Sequence, residues 1–165
     1  WLTEANIKIS EKLDAVQSPA KVVEIQMSTD LSVFGVDATK LEIGGDCNLE
    51  AINSENFKSE PVQIGSEKIK LTGWAMDKIG KHLPKQVLLR ISAIGRSDLF
   101  VAGSIGFNRE DVRGYFSLPN QVLASGIKIE IPLGSISPGL YDLTLVLQYD
   151  DIVYVCDNGR KLEKL

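Results

Sequence analysis

The stretch KIKLTGWAMD (residues 68–77) begins as a regular β-strand and then changes its pattern. In its first half, isoleucine and leucine alternate with lysine and threonine, which is typical of a strand with one buried face. After Gly73 the apolar residues are Trp74 and Met76, which lie on the opposite phase of the alternation. A glycine inside a strand marks a bulge or a bend. We therefore expect a bulge or a bend of the strand at Gly73.

Trp74 has two interpretations, which depend on the direction of that bend. In the first, Trp74 swings inward onto a second sheet, where a buried indole ring anchors the core. In the second, the ring is exposed and forms a platform on which a sugar can stack. We favour the core interpretation, because large apolar side chains are usually buried.

The same alternation recurs along much of the chain. Apolar residues occupy every second position in four further segments, which are residues 21–27, 87–94, 127–133 and 141–149. Alternation over whole segments indicates half-buried strands in antiparallel sheets. Two shorter candidate strands are residues 99–105 and 152–156, and turn residues lie at 95–98 and at Asp150-Asp151. The sequence predicts an all-β fold, an antiparallel β-sandwich of the immunoglobulin-like or jelly-roll-like kind.

Helical signals are short, so we expect one or two helical turns within this sandwich. The best candidate is NREDVRGYF (residues 108–116), in which Asn108 can cap the helix and two acidic residues favour its first turn. Residues 119–126 are a second candidate of one turn. Residues 4–20 fit either a strand with a loop or a short helix.

The length of the chain, 165 residues, fits one domain. The Gly44-Gly45 pair is a flexible joint, and we divide the chain there into an N-terminal extension (1–45) and a sandwich core (46–165). The extension is too short to hold a core unaided, so we expect it to pack on the sandwich or to add strands to it. Since the first residue is Trp1, we interpret the chain as a fragment or a processed product.

Composition and charge argue against two classes of partner. Hydrophobic residues make up 44% and charged residues 24%, as in ordinary globular proteins. The net charge is −4 and the pI is about 5.1, without the clustered lysines and arginines that nucleic acid requires. No apolar run of about 18 residues occurs, so we expect no membrane insertion by this fragment.

Catalytic motifs are not recognisable in the sequence. The single histidine, His82, lies in a lysine-rich loop, and no nucleophile elbow, zinc-protease motif or phosphate-binding loop occurs. We therefore predict a protein that is not an enzyme, with no catalytic residues, no metal site and no cofactor. A small glycoside hydrolase stays an alternative, because a pair of catalytic carboxylates is defined by distance in space.

The two cysteines, Cys47 and Cys156, are even in number and both lie in predicted structured segments. A disulfide between them would stabilise the folded chain by roughly 4 to 5 kcal/mol, according to the loop-entropy description of the unfolded state. The alternative is two buried free thiols. We favour the disulfide, which implies an oxidising compartment.

Several short motifs occur in a fixed order along the chain. They are DCNLEAIN (46–53), LTGWAMD (71–77), GFNREDVRGYF (106–116) and SPGLYDLTLVLQ (137–148). Their main residues are Gly73, Trp74, Ala75 and Asp77; Arg109, Asp111 and Val112; and Pro138, Gly139 and Tyr141. Over residues 46–150 this pattern resembles a small β-sandwich accessory module of bacterial envelope-glycan proteins. Such modules are attached to membrane glycosyltransferases or other polysaccharide-assembly proteins, and the last motif would form a hairpin.

This resemblance implies a non-catalytic accessory or binding module outside the cytoplasm, in the periplasm or at the cell surface. Its expected partners are a glycan, bound weakly, or a glycan-assembly protein. We expect a ligand where Trp74, Asp77, Arg109 and Asp111 converge, and we expect Asp77 and Arg109 to form a structural pair. The alternative is a purely structural or protein-docking domain of a larger membrane-anchored protein.

Overall fold

Two packed β-sheets make up most of the computed structural model, which describes residues 25–65, 68–132 and 134–165. The larger sheet contains β1 (Met27–Ser28), β2 (Leu41–Ile43), β5 (Val62–Ile64), β7 (Gln86–Ser92), β8 (Leu99–Ala102), β11 (Gly139–Gln148) and β12 (Val153–Lys164). The smaller sheet contains β3 (Asp46–Ile52), β4 (Glu55–Asn56), β6 (Ile69–Met76), β9 (Ser104–Phe107) and β10 (Gly126–Ile131). The predicted all-β sandwich is confirmed.

The strand order is that of an immunoglobulin-like sandwich. The larger sheet runs β1-β8-β7-β11-β12-β2, with β5 also paired to β12, and the smaller runs β4-β3-β6-β10-β9. In the smaller sheet, strands β3-β6-β10-β9 correspond to strands A-B-E-D of that fold. In the larger sheet, strands β8-β7-β11-β12 correspond to strands C′-C-F-G. Strands β2 and β5 pair in parallel with β12, so they cover the edge that β12 would otherwise expose.

A tyrosine corner fixes the passage from the smaller sheet to the larger one. Tyr141, near the start of β11, donates from its hydroxyl to the Ser137 carbonyl at 2.6 Å. The same hydroxyl accepts a hydrogen bond from Arg96 Nη1 at 2.5 Å. This local hydrogen bond is a feature of immunoglobulin-like sandwiches. The Pro138-Gly139 motif therefore belongs to a crossover between sheets, and the expectation of a hairpin at this motif is wrong.

The core lies between the two sheets, and the alternating residues of the predicted strands fill it. Its fully or nearly fully buried members include Val87, Leu89, Ile91, Ile127, Ile129, Ile131, Tyr141, Leu143, Leu145 and Leu147. Ile25 and Met27 are partly buried against this core, whereas residues 21–24 lie outside the described residues. The period-two pattern is thus confirmed wherever the structure describes it.

Strand β6 keeps its alternation through Gly73. The side facing the core carries Ile69, Leu71, Gly73 and Ala75, all buried. The pairing of β6 with β10 runs without a shift of register from one end to the other. The expected bulge or bend does not lie in this strand, and Trp74 and Met76 belong to its other face.

The irregularity lies in the neighbouring strand β3. Its pairing with β6 shifts between Leu49 and Ala51, so Glu50 is an extra residue in the ladder, a β-bulge. A Cβ atom added to Gly73 would lie 2.0 Å from the carbonyl oxygen of Asn48. Gly73 is required because the backbone of β3 approaches too closely for any side chain.

A disulfide joins the two sheets. Cys47 lies on β3 and Cys156 on β12, with an S–S distance of 2.04 Å and a Cα–Cα distance of 6.3 Å. The prediction of this disulfide is confirmed, and the free-thiol alternative is wrong. Since the two cysteines are 109 residues apart, the bond constrains most of the sandwich core.

Two predicted strands differ in extent from the observed ones. The segment 99–105 divides at Gly103 into β8 and β9, which belong to different sheets. A Cβ atom on Gly103 would lie 2.6 Å from Ile129 Cγ1, so the chain crosses between sheets where only glycine fits. Strand β12 extends to Lys164, well beyond the predicted end at 156. The predicted turn at Asp150-Asp151 is confirmed, with the Tyr149 amide donating to the Ile152 carbonyl at 2.9 Å.

Helical structure is confined to short segments among the described residues. They are α1 (Glu110–Tyr115) and 3-10 helices at Leu31–Phe34, Ala38–Lys40 and Asn120–Val122. Arg109 is the N-cap residue of α1 and makes no side-chain capping bond, so the expected cap by Asn108 is wrong. The one-turn helix expected within 119–126 is confirmed. Residues 4–20 lie outside the described residues.

Residues 25–45 contribute to the larger sheet and cover part of its outer face. Strand β1 pairs with β8, and β2 pairs with β12. Between these strands, Leu31, Phe34 and Val36 pack on Leu88, Phe100, Val146 and Val153. The division of the chain at residue 45 stays a prediction. No helix within the described ranges is long and apolar enough to cross a membrane.

Candidate functional site

One end of the sandwich carries the connections β6–β7, β9–β10 and β11–β12, and Trp74 lies close to it. Trp74 is on the outer face of the smaller sheet, beneath the β9–β10 connection that contains α1. There it packs, partly buried, on a small apolar cluster of Met76, Leu83, Val112, Phe116, Leu118 and Val122, here called the outer cluster. The expectation that Trp74 turns inward onto the second sheet is therefore wrong.

Three aromatic rings lead from this cluster to solvent. Trp74 and Phe116 meet edge to face with 5.5 Å between ring centroids. Phe116 and Tyr115 meet in the same way at 4.9 Å. Tyr115 is 83% exposed. We call Trp74, Phe116 and Tyr115 the aromatic step; its exposed member, Tyr115, was not among the residues that the sequence analysis selected.

Arg109, just before α1, holds two carboxylates. Its Nη1 and Nη2 atoms donate to Glu50 at 2.5 and 3.1 Å, and its Nε and Nη2 atoms donate to Asp111 at 3.0 and 2.8 Å. The hydrogen bonds from Arg109 lower the pKa of Asp111 to about 2. Those two carboxylates in turn raise the pKa of Arg109. The guanidinium is therefore committed to fixing α1 against the smaller sheet.

The β-bulge explains why Glu50 reaches Arg109. Glu50 is the extra residue of β3 opposite Gly73, and Arg109 Nη1 also lies 3.4 Å from the Gly73 carbonyl oxygen. Glu50 was missed by sequence reasoning, because a bulge is a property of the pairing of two strands and leaves no signal in one of them. The sequence predicts an irregularity at Gly73 in β6, whereas the bulge lies in the neighbouring strand β3, opposite Gly73.

Asp77 forms its hydrogen bonds within the β6–β7 loop. Its Oδ1 atom accepts hydrogen bonds from the amides of Ile79 at 3.0 Å and Gly80 at 3.1 Å. Its backbone forms an isolated bridge with His82. The described residues bonded to Arg109 do not include Asp77, so the expected Asp77–Arg109 pair is wrong. Of the four predicted site residues, Trp74, Arg109 and Asp111 adjoin α1, whereas Asp77 shapes the β6–β7 loop.

The lysine-rich β6–β7 loop is tied to the rest of this end. Lys78 Nζ lies 3.3 Å from Asp46 Oδ1 and 4.7 Å from the centroid of Phe116. The ring of His82 packs edge to face on Tyr149 at 4.7 Å. Burial, followed by the nearby charges of Asp77 and Asp46, raises the pKa of the Tyr149 hydroxyl. A small cavity of about 240 Å³ lies beside these two rings.

The resolved pKa shifts of the described carboxyl groups have one direction. Every described carboxyl group with a shifted pKa has it lowered, namely Asp30, Asp37, Glu110, Asp111 and Glu130. Within the same part of the chain, no three ligand side chains are grouped to hold a metal ion.

A larger concavity lies on the outer face of the larger sheet. Its volume is about 900 Å³, and its lining comes from segment 29–41, from Ser97 and Asp98, and from Arg90 and Phe100. Volumes of this size are typical of small-molecule sites. Sequence reasoning missed this cleft, because its walls come from segments that meet only in the folded chain.

Comparison of the chain with protein-family models, with curated protein sequences and with solved structures finds no match. The resemblance to envelope-glycan accessory modules therefore stays a prediction from the motifs.

Proposed function

We propose that this chain is a non-catalytic, extracytoplasmic binding module associated with bacterial envelope-glycan assembly, and that it binds carbohydrate weakly through the aromatic step. The observation that carries this proposal is the 83% exposure of Tyr115. The Tyr115 ring exposes apolar surface to water at the end of a row of packed aromatic rings, and a ligand that covers this surface gains the free energy of burying it.

The packing behind Tyr115 supports a platform. Phe116 touches both Tyr115 and Trp74, and Trp74 is anchored in the outer cluster. A ring supported in this way loses little conformational freedom when a ligand covers it. The C–H groups on one face of a sugar ring can pack on such an aromatic surface. Trp74 therefore acts as the support of the platform, and Tyr115 as its contact surface.

Polar groups beside the platform suit sugar hydroxyl groups. Glu110 and Asp111 lie in the first turn of α1, with side chains 68% and 69% exposed. Arg113 pairs with Glu110, and Arg109 pairs with Asp111. Each carboxylate keeps free lone pairs that can accept hydrogen bonds from hydroxyl groups. Few polar groups and one exposed ring imply weak binding.

The disulfide supports an extracytoplasmic location. The Cys47–Cys156 bond is compatible with an oxidising environment such as the periplasm or the cell surface. Together with the motif resemblance, it supports a module that serves glycan assembly outside the cytoplasm.

A glycan array with the whole chain tests this proposal, with Tyr115→Ala as the decisive variant. We expect binding by the wild type, loss of binding by Tyr115→Ala, and an unchanged melting temperature. Ile94→Ala is the control, because Ile94 is also an exposed apolar residue but lies in the β7–β8 turn at the other end of the sandwich. Ile94→Ala should bind as the wild type does.

Three results would overturn the proposal. Absence of any glycan binding, or full binding by Tyr115→Ala, would remove the carbohydrate platform and favour a docking domain. Shortened glycans on the array after incubation would contradict a non-catalytic module.

A further inference from the structure

The cleft on the outer face of the larger sheet lies where the cover formed by residues 31–40 ends. Leu88 and Val146 are buried under that cover. One step further along the same strands, Arg90 and Thr144 are paired neighbours on the same face. Phe100, the other cross-strand neighbour of Arg90, is only 6% exposed and forms an apolar floor together with Leu31.

The guanidinium group of Arg90 lines this cleft and has no carboxylate partner among the described residues. Its Nε atom donates to the hydroxyl of Thr144 at 3.0 Å, which fixes the guanidinium plane. Its two Nη atoms make no hydrogen bond or ion pair with any residue of the described ranges. A fixed guanidinium with free Nη atoms is well suited to receive a carboxylate in a bidentate manner.

The carboxylate of Asp98 also lines the cleft. Its carboxylate has no hydrogen-bond or ion-pair partner among the residues described, and it does not pair with Arg90. The other two carboxylates of the lining are engaged. Asp30 accepts from the amide of Ser32 at 2.9 Å, and Asp37 accepts from the amide of Thr39 at 2.9 Å.

These charges select among classes of ligand. A simple anion would meet three carboxylates against one guanidinium, so the cleft as a whole would repel it. A simple cation, or an apolar ligand, would cover Arg90 and leave a desolvated charge without a partner. A ligand with both charges satisfies Arg90 and Asp98 together, and the apolar floor accommodates an apolar group between them.

We propose that this cleft is a binding site for a small zwitterion with an apolar body, whose carboxylate pairs with Arg90 and whose ammonium group pairs with Asp98. This is the chemistry of an amino acid with an apolar side chain, free or as a short peptide. The site is separate from the aromatic step and independent of the proposed carbohydrate binding.

Amide chemical shifts of the whole chain, titrated with L-phenylalanine and with L-leucyl-L-leucine, test the site. We expect saturable shifts at Leu31, Ser97, Asp98 and Phe100. The two probes distinguish a free amino acid from a peptide as the source of the ligand. L-phenylalaninamide lacks the carboxylate, N-acetyl-L-phenylalanine lacks the ammonium group, and glycine lacks the apolar body. Each should bind about tenfold more weakly than L-phenylalanine, as expected for loss of one charged hydrogen bond or of one buried side chain.

Variants assign the two charges. Arg90→Gln should weaken binding of L-phenylalanine about tenfold and abolish the preference over its amide, and Asp98→Asn should abolish the preference over the N-acetyl derivative. Asp142→Asn and Lys161→Gln are controls, because this pair lies on the same face of the sheet outside the cleft. Both controls should bind as the wild type does.

The proposal is overturned if neither zwitterionic probe gives saturable shifts, or if the amide and N-acetyl derivatives bind as well as L-phenylalanine. Melting curves show whether Arg90→Gln folds, and Asp98→Asn, at a half-buried side chain, supplies a second test if it does not. Tyr115→Ala should leave these titrations unchanged, so failure of this site and failure of the carbohydrate platform are distinguishable.

Discussion

The two faces of strand β6 differ in what covers them. Its inner face packs on the opposite sheet along the whole strand, so Ile69, Leu71 and Ala75 are all buried. Its outer face is open at Lys70 and Thr72 and is covered only in the second half, where α1 lies over Trp74. An apolar residue on the outer phase of a strand therefore indicates a local cover as readily as a change of direction.

The comparison predicts that interactions between the sheets contribute more to stability than those of the outer cluster. The disulfide is one of these interactions. The double variant Cys47→Ala/Cys156→Ala should lose about 4 kcal/mol of unfolding free energy, because the unfolded chain is no longer cross-linked. Denaturant unfolding with and without reductant measures this loss. Reductant should destabilise the wild type to a similar extent and leave the variant unchanged; equal stability of oxidised and reduced wild type would contradict the prediction.

A pair of leucines compares the two packing environments directly. Leu145 is fully buried between the sheets, and Leu118 lies at the margin of the outer cluster with 9% exposure. Leu145→Ala should cost about 4 kcal/mol, and Leu118→Ala about 2 kcal/mol, because a site near the surface relaxes around the lost volume. Urea unfolding measures both. An equal or larger cost at Leu118 would show that the outer cluster is part of the main core.

Trp74 sharpens the same comparison at a single residue. Trp74→Ala should cost about 2 kcal/mol, less than a fully buried aromatic residue, because the indole is only partly buried. It should also weaken glycan binding by removing the support of Phe116 and Tyr115. Unfolding curves and the glycan array measure the two effects. Unchanged stability would make Trp74 an exposed platform, and a cost as large as that of Leu145→Ala would place it in the main core.

The smallest effect concerns the attachment of α1 by Arg109. Since the folded pKa of Asp111 is about 2, below its ordinary value of 3.8, this carboxylate stabilises the fold above about pH 4. That contribution is lost as the pH falls through about 2. Asp111→Asn should cost about 0.5 kcal/mol at neutral pH, because the pair is exposed to solvent.

The pH dependence of this variant provides the check. The difference in melting temperature between wild type and Asp111→Asn should shrink as the pH falls from about 4 to about 2. Asp151→Asn, in the exposed β11–β12 turn, controls for the loss of one negative charge. A difference that persists at the lowest pH would show that Asp111 acts through its shape and not through its charge.

Much of the fold was predictable from local pattern. The alternating segments placed Val87, Leu145 and Ile129 on the buried faces of strands, and the even number of cysteines led to the disulfide. The candidate site was less predictable. Trp74 and Arg109 lie beside α1 and Asp111 lies in it, but a bulge brings Glu50 to Arg109, and only the fold shows that Tyr115 is exposed.

The sequence by itself determined which residues alternate, where turns such as Asp150-Asp151 separate strands, and which cysteines were available to pair. These properties are local, because side chains along a strand point to opposite faces with a period of two. The tertiary structure alone decided that β3 and not β6 carries the bulge, that α1 covers Trp74, and that Arg90 and Asp98 share a cleft. Each of these features depends on contacts between segments that are distant in the chain. The alternation of residues shows on which face of a sheet a side chain lies, but it does not show which segment packs against that face.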